Sequence, residues 1–423
     1  MPTAEILSQG DEVVTGQTVD TNAAWLADQL TALGFTVVRH TSVGDRPADI
    51  RASIIAAIDR ADLVLSTGGL GPTEDDLTTQ AVADVYGVEL AFDTVAMTTI
   101  EAHYRRFDRV MPDVNKKQAW LPKGCVRLDN DWGTAPAFAM VDDRAVTAFL
   151  PGVPREMRAL FAARIVPLLQ EPALEDRFTV RPGRLVTLRT TGIGESNLQE
   201  RIGAFSEVDV VLSYRTKLPE NHIKLRFKAD TSDARVAQVT QRIADLIGSP
   251  RFCTEGVDDI AGSLAAVVVG WLAHRSESVA TAESCTGGRV AAALTEVAGA
   301  SAVFNEGVVT YSNDAKIRLL GVDPASIDAH GAVSDAVAHH MAHGVRARSG
   351  STYGVSTTGI AGPSGGTESK PVGLVYIALA TPEAVHVRRL RLSGKRDRIQ
   401  TLATAACLDL LRRHLQGLLP ESS

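Results

Sequence analysis

The sequence predicts an α/β protein of three domains, at residues 1–170, 171–254 and 255–423. Strand and helix patterns alternate through the first and third segments, which is typical of a largely parallel sheet covered by helices. The middle segment combines alternating strands with one amphipathic helix, which indicates a smaller α+β module. A chain of 423 residues fits two or three such domains.

Local patterns place the elements in order along the chain. Helices are predicted where apolar residues recur on one helical face, as Leu26, Leu30 and Leu33 do before Gly34 ends that helix. Short apolar runs predict strands at residues 5–8, 35–38, 62–66, 185–188, 223–227, 353–357, 374–380 and 385–392. Other helices are predicted over residues 50–58, 78–86, 234–247, 260–272, 289–297, 335–348 and from 396 onward.

Composition narrows the class of protein. Apolar residues form 45% of the chain and charged residues 22%, which is typical of a globular protein with a sizeable core. The net charge of −7 argues against broad binding to nucleic acid or to a membrane surface, and no stretch is long and apolar enough for a transmembrane helix. Four scattered cysteines and the lack of a secretory segment predict a cytoplasmic protein without disulfides or structural zinc.

In the first segment, the strand at residues 62–66 runs into a glycine-rich turn followed by two acids. Glycines at the carboxyl end of a strand expose N–H groups to a ligand, as in phosphate-binding turns. Two carboxylates beside such a turn imply a divalent metal bridging to phosphate, although acids that merely suit the dipole of the next helix would have the same pattern. The candidates are Gly68, Gly69, Gly71 and Thr73 for the phosphate, and Asp75 and Asp76 for the metal.

The third segment is organised around residues 281–288, a strand-to-helix turn with the sequence Thr-Ala-Glu-Ser-Cys-Thr-Gly-Gly. Ser284, Cys285 and Thr286 place three possible nucleophiles on a turn whose N–H groups suit a phosphate or a developing oxyanion. A simpler interpretation is that Ser and Thr only cap the helix. Two further strands end in turns that carry Tyr311 and Thr358. If the three strand ends are neighbours, they form one ligand pocket.

The first segment resembles the N-terminal domain of the CinA family, related to the three-layer α/β/α MoaB/MogA fold, at residues 10–12, 16–17, 21–22, 68–76, 115–119, 133–136 and 150–154. The resemblance implies metal-dependent hydrolysis of ADP-ribose to AMP and ribose phosphate. Lys116 and Lys117 become candidate counter-charges for phosphate. The chain departs from the family pattern at Asp11, where Thr is usual, and at Ala137, where Gly is usual. A nucleotide- or pterin-binding module without catalysis is the alternative.

The middle module occupies the place of a KH-type domain in CinA-like proteins. A KH domain that binds RNA needs a Gly-x-x-Gly loop, and residues 192–194, Gly-Ile-Gly, lack that spacing. Together with the acidic net charge, this predicts a structural role and no nucleic-acid partner. The same two observations argue against the other alternative, a scaffold in DNA uptake or repair.

Residues 281–288, 310–316 and 358–373 resemble the CinA C-terminal domain, a PncC-type deamidase that converts nicotinamide mononucleotide to nicotinic acid mononucleotide and ammonia. Amide hydrolysis needs an activated nucleophile, a proton relay and an oxyanion site. No Ser-His-Asp set lies near the turn, but a lysine whose pKa is lowered can act as the base. The resemblance therefore implies catalytic roles for Ser284 as nucleophile, Lys316 as base, Tyr311 as relay and Thr358 as an orienting group.

Cys285 is the rival nucleophile, because a thiolate is more reactive than a hydroxyl. Substrate contacts in this domain are expected from the turn and its neighbours, including the guanidinium of Arg396 for the ligand phosphate. The residues are Glu283, Cys285, Thr286, Gly287, Gly288, Asn313, Gly359 and Arg396. We expect no cofactor for the deamidase and a divalent metal of unspecified identity for the N-terminal domain. The expected partners are the two small-molecule substrates and a second copy of the chain in a homodimer.

Overall fold

The structure is a computed structural model that describes residues 2–175, 177–178 and 183–419. Its contacts divide the chain into two compact units, Met1–Arg184 and Leu185–Ser423. The second unit contains two separate sheets, of four and five strands. The division into three domains stays a prediction, and its last residues, 420–423, lie outside the described part of the chain.

The first unit has an α/β architecture. Its strands are β1 (Thr3–Gln9), β2 (Thr36–Val43), β3 (Leu63–Thr67), β4 (Leu90–Phe92), β5 (Trp120–Pro122), β6 (Val126–Leu128), β7 (Ala137–Val141) and β8 (Val146–Leu150). Its α-helices are α1 (Asp11–Val14), α2 (Thr21–Ala32), α3 (Pro47–Ile58), α4 (Thr78–Tyr86), α5 (Thr94–Arg105), α6 (Pro154–Leu160) and α7 (Val166–Leu169). Short 3-10 turns cover Asp113–Ala119 and Pro172–Leu174, and a π-helical turn covers Phe161–Ile165.

Six strands form the main sheet, in the order β2-β1-β3-β8-β7-β6, and β4 pairs with β5 apart from it. The pairs β1–β2, β1–β3 and β3–β8 are parallel, whereas β7 and β6 run antiparallel. The carboxyl ends of β1, β3 and β8 therefore lie at one edge, where an open α/β sheet binds ligands. The apolar core of this unit includes Leu174 and Phe178, which lie beyond the predicted boundary at residue 170.

The second unit begins with strands that form a sheet in the order β10-β11-β9-β12. The elements here are β9 (Arg184–Thr191), α8 (Glu195–Ile202), β10 (Val210–Lys217), β11 (Glu220–Phe227), α9 (Asp233–Ile247) and β12 (Arg251–Glu255). The buried face of α9 packs with β9 and β11 in a core of its own. Helices and antiparallel strands thus occur together here, while a separate KH-type domain stays a prediction.

The rest of the second unit is a five-stranded sheet with helices. The elements are α10 (Leu264–Arg275), β13 (Val279–Glu283), α11 (Arg289–Thr295), a 3-10 turn at Ala300–Ala302, β14 (Phe304–Val309), α12 (Asn313–Leu320), α13 (Pro324–His330), α14 (Asp335–Ser349), β15 (Tyr353–Gly359), β16 (Leu374–Ala380), β17 (Val385–Arg391) and α15 (Arg396–Leu415). None of the helices in the described part of the chain is long and apolar enough to cross a membrane.

The strand order β14-β13-β15-β16-β17 decides where the candidate residues meet. Strand β13 is buried along its whole length and pairs in parallel with β14 on one side and β15 on the other. The carboxyl ends of these three strands are thus neighbours, which brings Ser284, Tyr311 and Thr358 to one edge of the sheet. The prediction of one ligand pocket was conditional on these strand ends being neighbours, and in the structure they are.

Candidate active site

Ser284 and Lys316 are in contact across the turn after β13. Lys316 Nζ lies 3.2 Å from Ser284 Oγ and donates a second hydrogen bond, of 2.8 Å, to the carbonyl oxygen of Thr310. Lys316 lies in the first turn of α12, whose N-cap Ser312 accepts the Ala315 N–H, and its side chain is 1% exposed. Burial lowers the pKa of Lys316, because the charged ammonium loses its hydration. A buried amine beside a hydroxyl is the arrangement of a serine nucleophile with a lysine base.

Cys285, the rival nucleophile, is poorly suited to react. Its side chain is 5% exposed, and burial raises the pKa of its thiol to about 12. The thiolate is the reactive form of cysteine, so a thiol held protonated at neutral pH is a weak nucleophile. Its carbonyl oxygen accepts a 2.8 Å hydrogen bond from Gln400 Nε2 on α15, which helps to hold the turn. The geometry favours the neighbouring Ser284.

Glu283 stabilises the turn through hydrogen bonds to its buried carboxylate. Its buried carboxylate accepts hydrogen bonds from the Thr286 hydroxyl at 2.6 Å and from the N–H groups of Gly288, Val290 and Ala291 at 2.8–3.1 Å. It therefore caps the start of α11, a role that the simpler sequence interpretation gave to Ser and Thr. With these bonds made, Glu283 and Thr286 are buried behind the cleft, and neither lines it.

The N–H groups of the turn are partly occupied by the protein itself. Gly287 N donates to the Ser284 carbonyl at 3.1 Å, and Gly288 N donates to Glu283. Of the turn N–H groups expected to hold an oxyanion, those of Gly287 and Gly288 are therefore already used. Within the described residues, the N–H groups of Cys285 and Thr286 donate to no backbone carbonyl, which leaves these two as the candidate donors for a developing oxyanion.

A cleft of about 270 Å³ opens beside Ser284. Of the predicted residues, the cleft is lined by Ser284, Cys285, Tyr311, Asn313, Lys316, Thr358, Gly359 and Arg396. The predicted contacts Glu283, Thr286, Gly287 and Gly288 are not part of this lining. Ala332 and Val333 also line it, and sequence reasoning missed them because nothing in their local pattern distinguishes them from an ordinary loop. Gly362, Ser364 and Gly365 line it as well; they lie within the 358–373 motif, which did not show which of its residues face the cleft.

Tyr311 and Thr358 have different partners from those predicted. The exposed Tyr311 hydroxyl accepts a 2.8 Å hydrogen bond from Arg396, whose other terminal nitrogen donates to the Gly362 carbonyl at 2.9 Å. Thr358 Oγ1 donates to the Ala332 carbonyl at 2.7 Å. In the described residues, no hydrogen bond joins either hydroxyl to Ser284 or Lys316. The structure therefore places Tyr311 with Arg396 at the cleft, and Thr358 as a support of its wall.

The glycine turn of the first unit opens on a second cleft, of about 470 Å³. The predicted residues that line it are Gly68, Gly69, Gly71, Thr73, Asp75 and Asp76. Lys116 is not part of this lining, and its ammonium pairs with Asp113 at 2.8 Å. The structure adds polar lining residues that were not predicted as site residues: Gln9, Asp45 and Glu156, together with Glu12, Gln118 and Thr134, which lie within the family motifs at 10–12, 115–119 and 133–136.

Gly68 has a packing role in this turn. Its backbone has φ of 108°, and a Cβ there would lie 2.3 Å from the carbonyl oxygen of Gln9. Its N–H donates to the Leu150 carbonyl at 3.0 Å, so this donor is not free for a phosphate. Gly68 therefore allows the ends of β1, β3 and β8 to approach closely. Because its N–H is already used, a phosphate contact is left to Gly69 and Gly71.

The acids of this cleft fit a hard cation only in part. In the described residues, no three His, Cys, Asp or Glu side chains are close enough together to hold a metal ion by themselves. One oxygen of Asp76 already accepts the N–H and hydroxyl of Thr73. Burial raises the pKa of Asp45, and the carboxylates of Asp11, Glu12 and Asp75 add to that rise while the N–H of Asp11 opposes it. This unbalanced negative charge suits a cation held by one or two carboxylates and completed by phosphate and water.

The chain matches two known sequence families along most of its length. The CinA C-terminal domain matches residues 261–415, and the Probable molybdopterin binding domain matches residues 5–171. A CinA-like protein of Anaeromyxobacter dehalogenans is 42% identical over 416 residues, which are 97% of this chain and 99% of that protein. A competence-damage inducible protein of Acetivibrio thermocellus is 39% identical over 422 residues, 98% of this chain and 99% of that one.

Solved structures cover a smaller part of the chain. The crystal structure of competence/damage inducible protein CihA from Agrobacterium tumefaciens is 42% identical, with a TM-score of 0.35, and covers 36% of this chain and 93% of that one. The full-length relatives carry the assignment, because they align with both halves at once. The chain belongs to the CinA family, with an N-terminal segment that matches a probable molybdopterin binding domain and a CinA C-terminal domain.

Proposed function

We propose that this protein hydrolyses the carboxamide of nicotinamide mononucleotide to give nicotinic acid mononucleotide and ammonia. The contact between Ser284 Oγ and the buried Lys316 Nζ is the observation that carries the proposal. The family resemblance supplies the substrate, since a serine–lysine pair alone specifies acyl transfer and not a particular amide. Burial helps because it lowers the pKa of Lys316, which favours the neutral amine that can accept a proton more than in a solvated lysine.

In the first half of the reaction, neutral Lys316 takes the proton from Ser284 Oγ, and the oxygen attacks the carboxamide carbon. The carbonyl electron pair moves to its oxygen, which the N–H groups of Cys285 and Thr286 stabilise. When the C–N bond breaks, the leaving nitrogen takes the proton from the Lys316 ammonium and departs as ammonia. The Thr310 carbonyl holds the amine in place throughout. Ser284 is left as an ester of the pyridine carboxylate.

In the second half, water attacks the same ester. Lys316 takes a proton from the water, the tetrahedral oxyanion forms again at the same N–H groups, and its collapse breaks the bond to Ser284 Oγ. The serine oxygen recovers its proton from Lys316, and nicotinic acid mononucleotide is released. Arg396 keeps guanidinium N–H groups beyond its bonds to Tyr311 and Gly362, and these would bind the nucleotide phosphate.

For the N-terminal domain we propose hydrolysis of ADP-ribose to AMP and ribose phosphate. Asp75 and Asp76 would hold a divalent metal ion, which when bound would neutralise phosphate charge and activate water. Gly69 and Gly71 would bind the diphosphate through their N–H groups, with Thr73 and Gln118 at its sides. A second candidate is a nucleotide- or pterin-binding module without catalysis, which is consistent with the hydrogen bonds that Asp76 already accepts from Thr73.

A pair of assays on the wild-type chain tests both proposals. Ammonia should appear from nicotinamide mononucleotide in the presence or absence of a chelator, whereas AMP should appear from ADP-ribose only when a divalent metal is present. Absence of ammonia would refute the deamidase. ADP-ribose that binds without being hydrolysed, with every divalent metal tried, would favour the binding module. Sizing the same sample would test the proposed homodimer.

A further inference from the structure

Two loops form facing walls of the cleft beside Ser284. The first is the wall segment, residues 330–333, which contributes Ala332 and Val333 to the lining. The second is the glycine-rich loop, residues 362–373, which contributes Gly362, Ser364 and Gly365. Neither loop belongs to a helix or strand except at its ends. Contacts between the two loops therefore decide how far apart the walls stand.

Lys370 joins the two loops directly. It belongs to the glycine-rich loop, and its ammonium donates hydrogen bonds to the carbonyl oxygens of His330 and Val333, the latter at 2.8 Å. Val333 itself lines the cleft. Hydrogen bonds from a charged donor are stronger than neutral ones, and His330 is the last residue of α13, where the helix dipole attracts a cation.

The wall segment is also held from the sheet. Thr358 Oγ1 donates to the carbonyl oxygen of Ala332, which lies between the two carbonyls that Lys370 binds. Carbonyl oxygens of three of the four residues in the wall segment thus accept hydrogen bonds from side chains that belong to the opposite wall or the cleft floor. Because these donors are distant in sequence, the hydrogen bonds hold the wall segment against the rest of the cleft.

Gly331 lies close to the ammonium of Lys370. Its backbone has φ of 72°, and a Cβ at this position would lie 2.9 Å from Lys370 Nζ. Any larger residue would therefore press on the ammonium as well as strain the backbone. A change at either Gly331 or Lys370 should disturb the same contact from opposite sides.

We propose that Lys370 is a positioning residue that sets the width of the substrate cleft by tying the glycine-rich loop to the wall segment. It touches no reacting atom, so its effect is on binding. Residues 363–369 are exposed and include two glycines, so without the tie this loop samples more conformations, and ordering it on binding costs affinity. The proposal rests on the deamidase function proposed above.

The Lys370→Met variant tests the tie, because Met keeps an apolar stem and removes all three N–H donors. We expect KM for nicotinamide mononucleotide to rise roughly tenfold while kcat stays within about threefold, the pattern of lost binding rather than lost chemistry. Gly331→Ala should raise KM similarly. The double variant should be little worse than either single variant, because both break one contact. Lys217→Met, at an exposed hairpin lysine, is the matched control and should keep wild-type KM.

Hydrogen exchange provides a readout that does not depend on activity. In Lys370→Met, the amides of residues 330–333 and 362–373 should exchange several times faster than in the wild type, with the central strands unchanged. An active Lys370→Met enzyme with wild-type KM would overturn the proposal. If the wild type itself releases no ammonia, the deamidase function fails and the claim on KM fails with it. In that case, amide exchange in the two loops of Lys370→Met that is as slow as in the wild type would also refute the proposed role of Lys370 in holding them together.

Discussion

Replacing Lys316 by Met tests the proposed chemistry most directly. The change removes the amine that lies 3.2 Å from Ser284 Oγ and leaves an apolar side chain in a position that is 1% exposed. General base catalysis contributes about 10²–10⁴-fold, and residues that act as a pair lose most of that effect together. We therefore expect kcat to fall about 10³-fold, or ~4 kcal/mol in the activation free energy.

The fold should survive this change. Met loses two hydrogen bonds, to the Thr310 carbonyl and to Ser284 Oγ, together about 2 kcal/mol, and also relieves the desolvation of a buried ammonium, which acts in the opposite direction. Because burial lowers the pKa of Lys316, the unfolded chain binds its proton more readily than the folded chain does. As pH increases from the lowered pKa of the folded chain to the ordinary pKa of the unfolded chain, the contribution of Lys316 should raise the free energy of unfolding of the wild type. The Met variant should lack this increase.

The assay is ammonia release as a function of pH. Wild-type kcat/KM should increase with pH through a pKa below the ordinary value for lysine, because only the neutral amine can accept the serine proton. Lys316→Arg is the matched control, since it keeps a positive charge that does not deprotonate and should be as inactive as Met. A Met variant that retains more than about a tenth of wild-type kcat, or an unchanged ascending limb, would refute the role of Lys316.

The remaining predictions concern the nucleophile, the turn and the metal. Ser284→Ala should lose ammonia release at least about 10³-fold while Cys285→Ala keeps most of it; the opposite pattern would move the nucleophile to the thiol. Glu283→Ala should lower the free energy of unfolding by about 3 kcal/mol in a denaturant titration, because four hydrogen bonds lose their acceptor. The control is Glu296→Ala, at an exposed position, which should change the free energy of unfolding by less than ~0.5 kcal/mol. Asp76→Ala should abolish AMP formation from ADP-ribose without affecting ammonia release, and hydrolysis that persists after chelation would exclude the metal.

Local patterns in the sequence were sufficient for most of the elements near the site. The strand predicted at 374–380 is β16 with the same bounds, and the helix predicted at 335–348 is α14, which ends one residue later and has the hydroxyl of Ser334 as its N-cap. Such elements depend on near neighbours in the chain, namely the alternation of apolar residues and the chemistry of a cap. The α/β class and the family followed from the same kind of local information.

Contacts between distant residues were harder to predict. The sequence indicated that Glu283 contacts substrate, but the folded turn wraps its N–H groups around that carboxylate. Tyr311 was predicted to serve the nucleophile, and its hydroxyl instead meets Arg396, which lies far along the chain. Side-chain partners of this kind depend on the packing of several elements, which no local spacing encodes.

The sequence by itself determined that a strand, a small-residue turn and a helix carry Ser284, because those elements form from interactions within a few residues. It also determined the family, through motifs that extend over most of the chain. Only the tertiary structure decided that β13 lies between β14 and β15, so that Lys316 meets Ser284 in a buried setting. Burial and strand order arise from the packing of the whole sheet, and they are what give an ordinary lysine a lowered pKa and a serine as its neighbour.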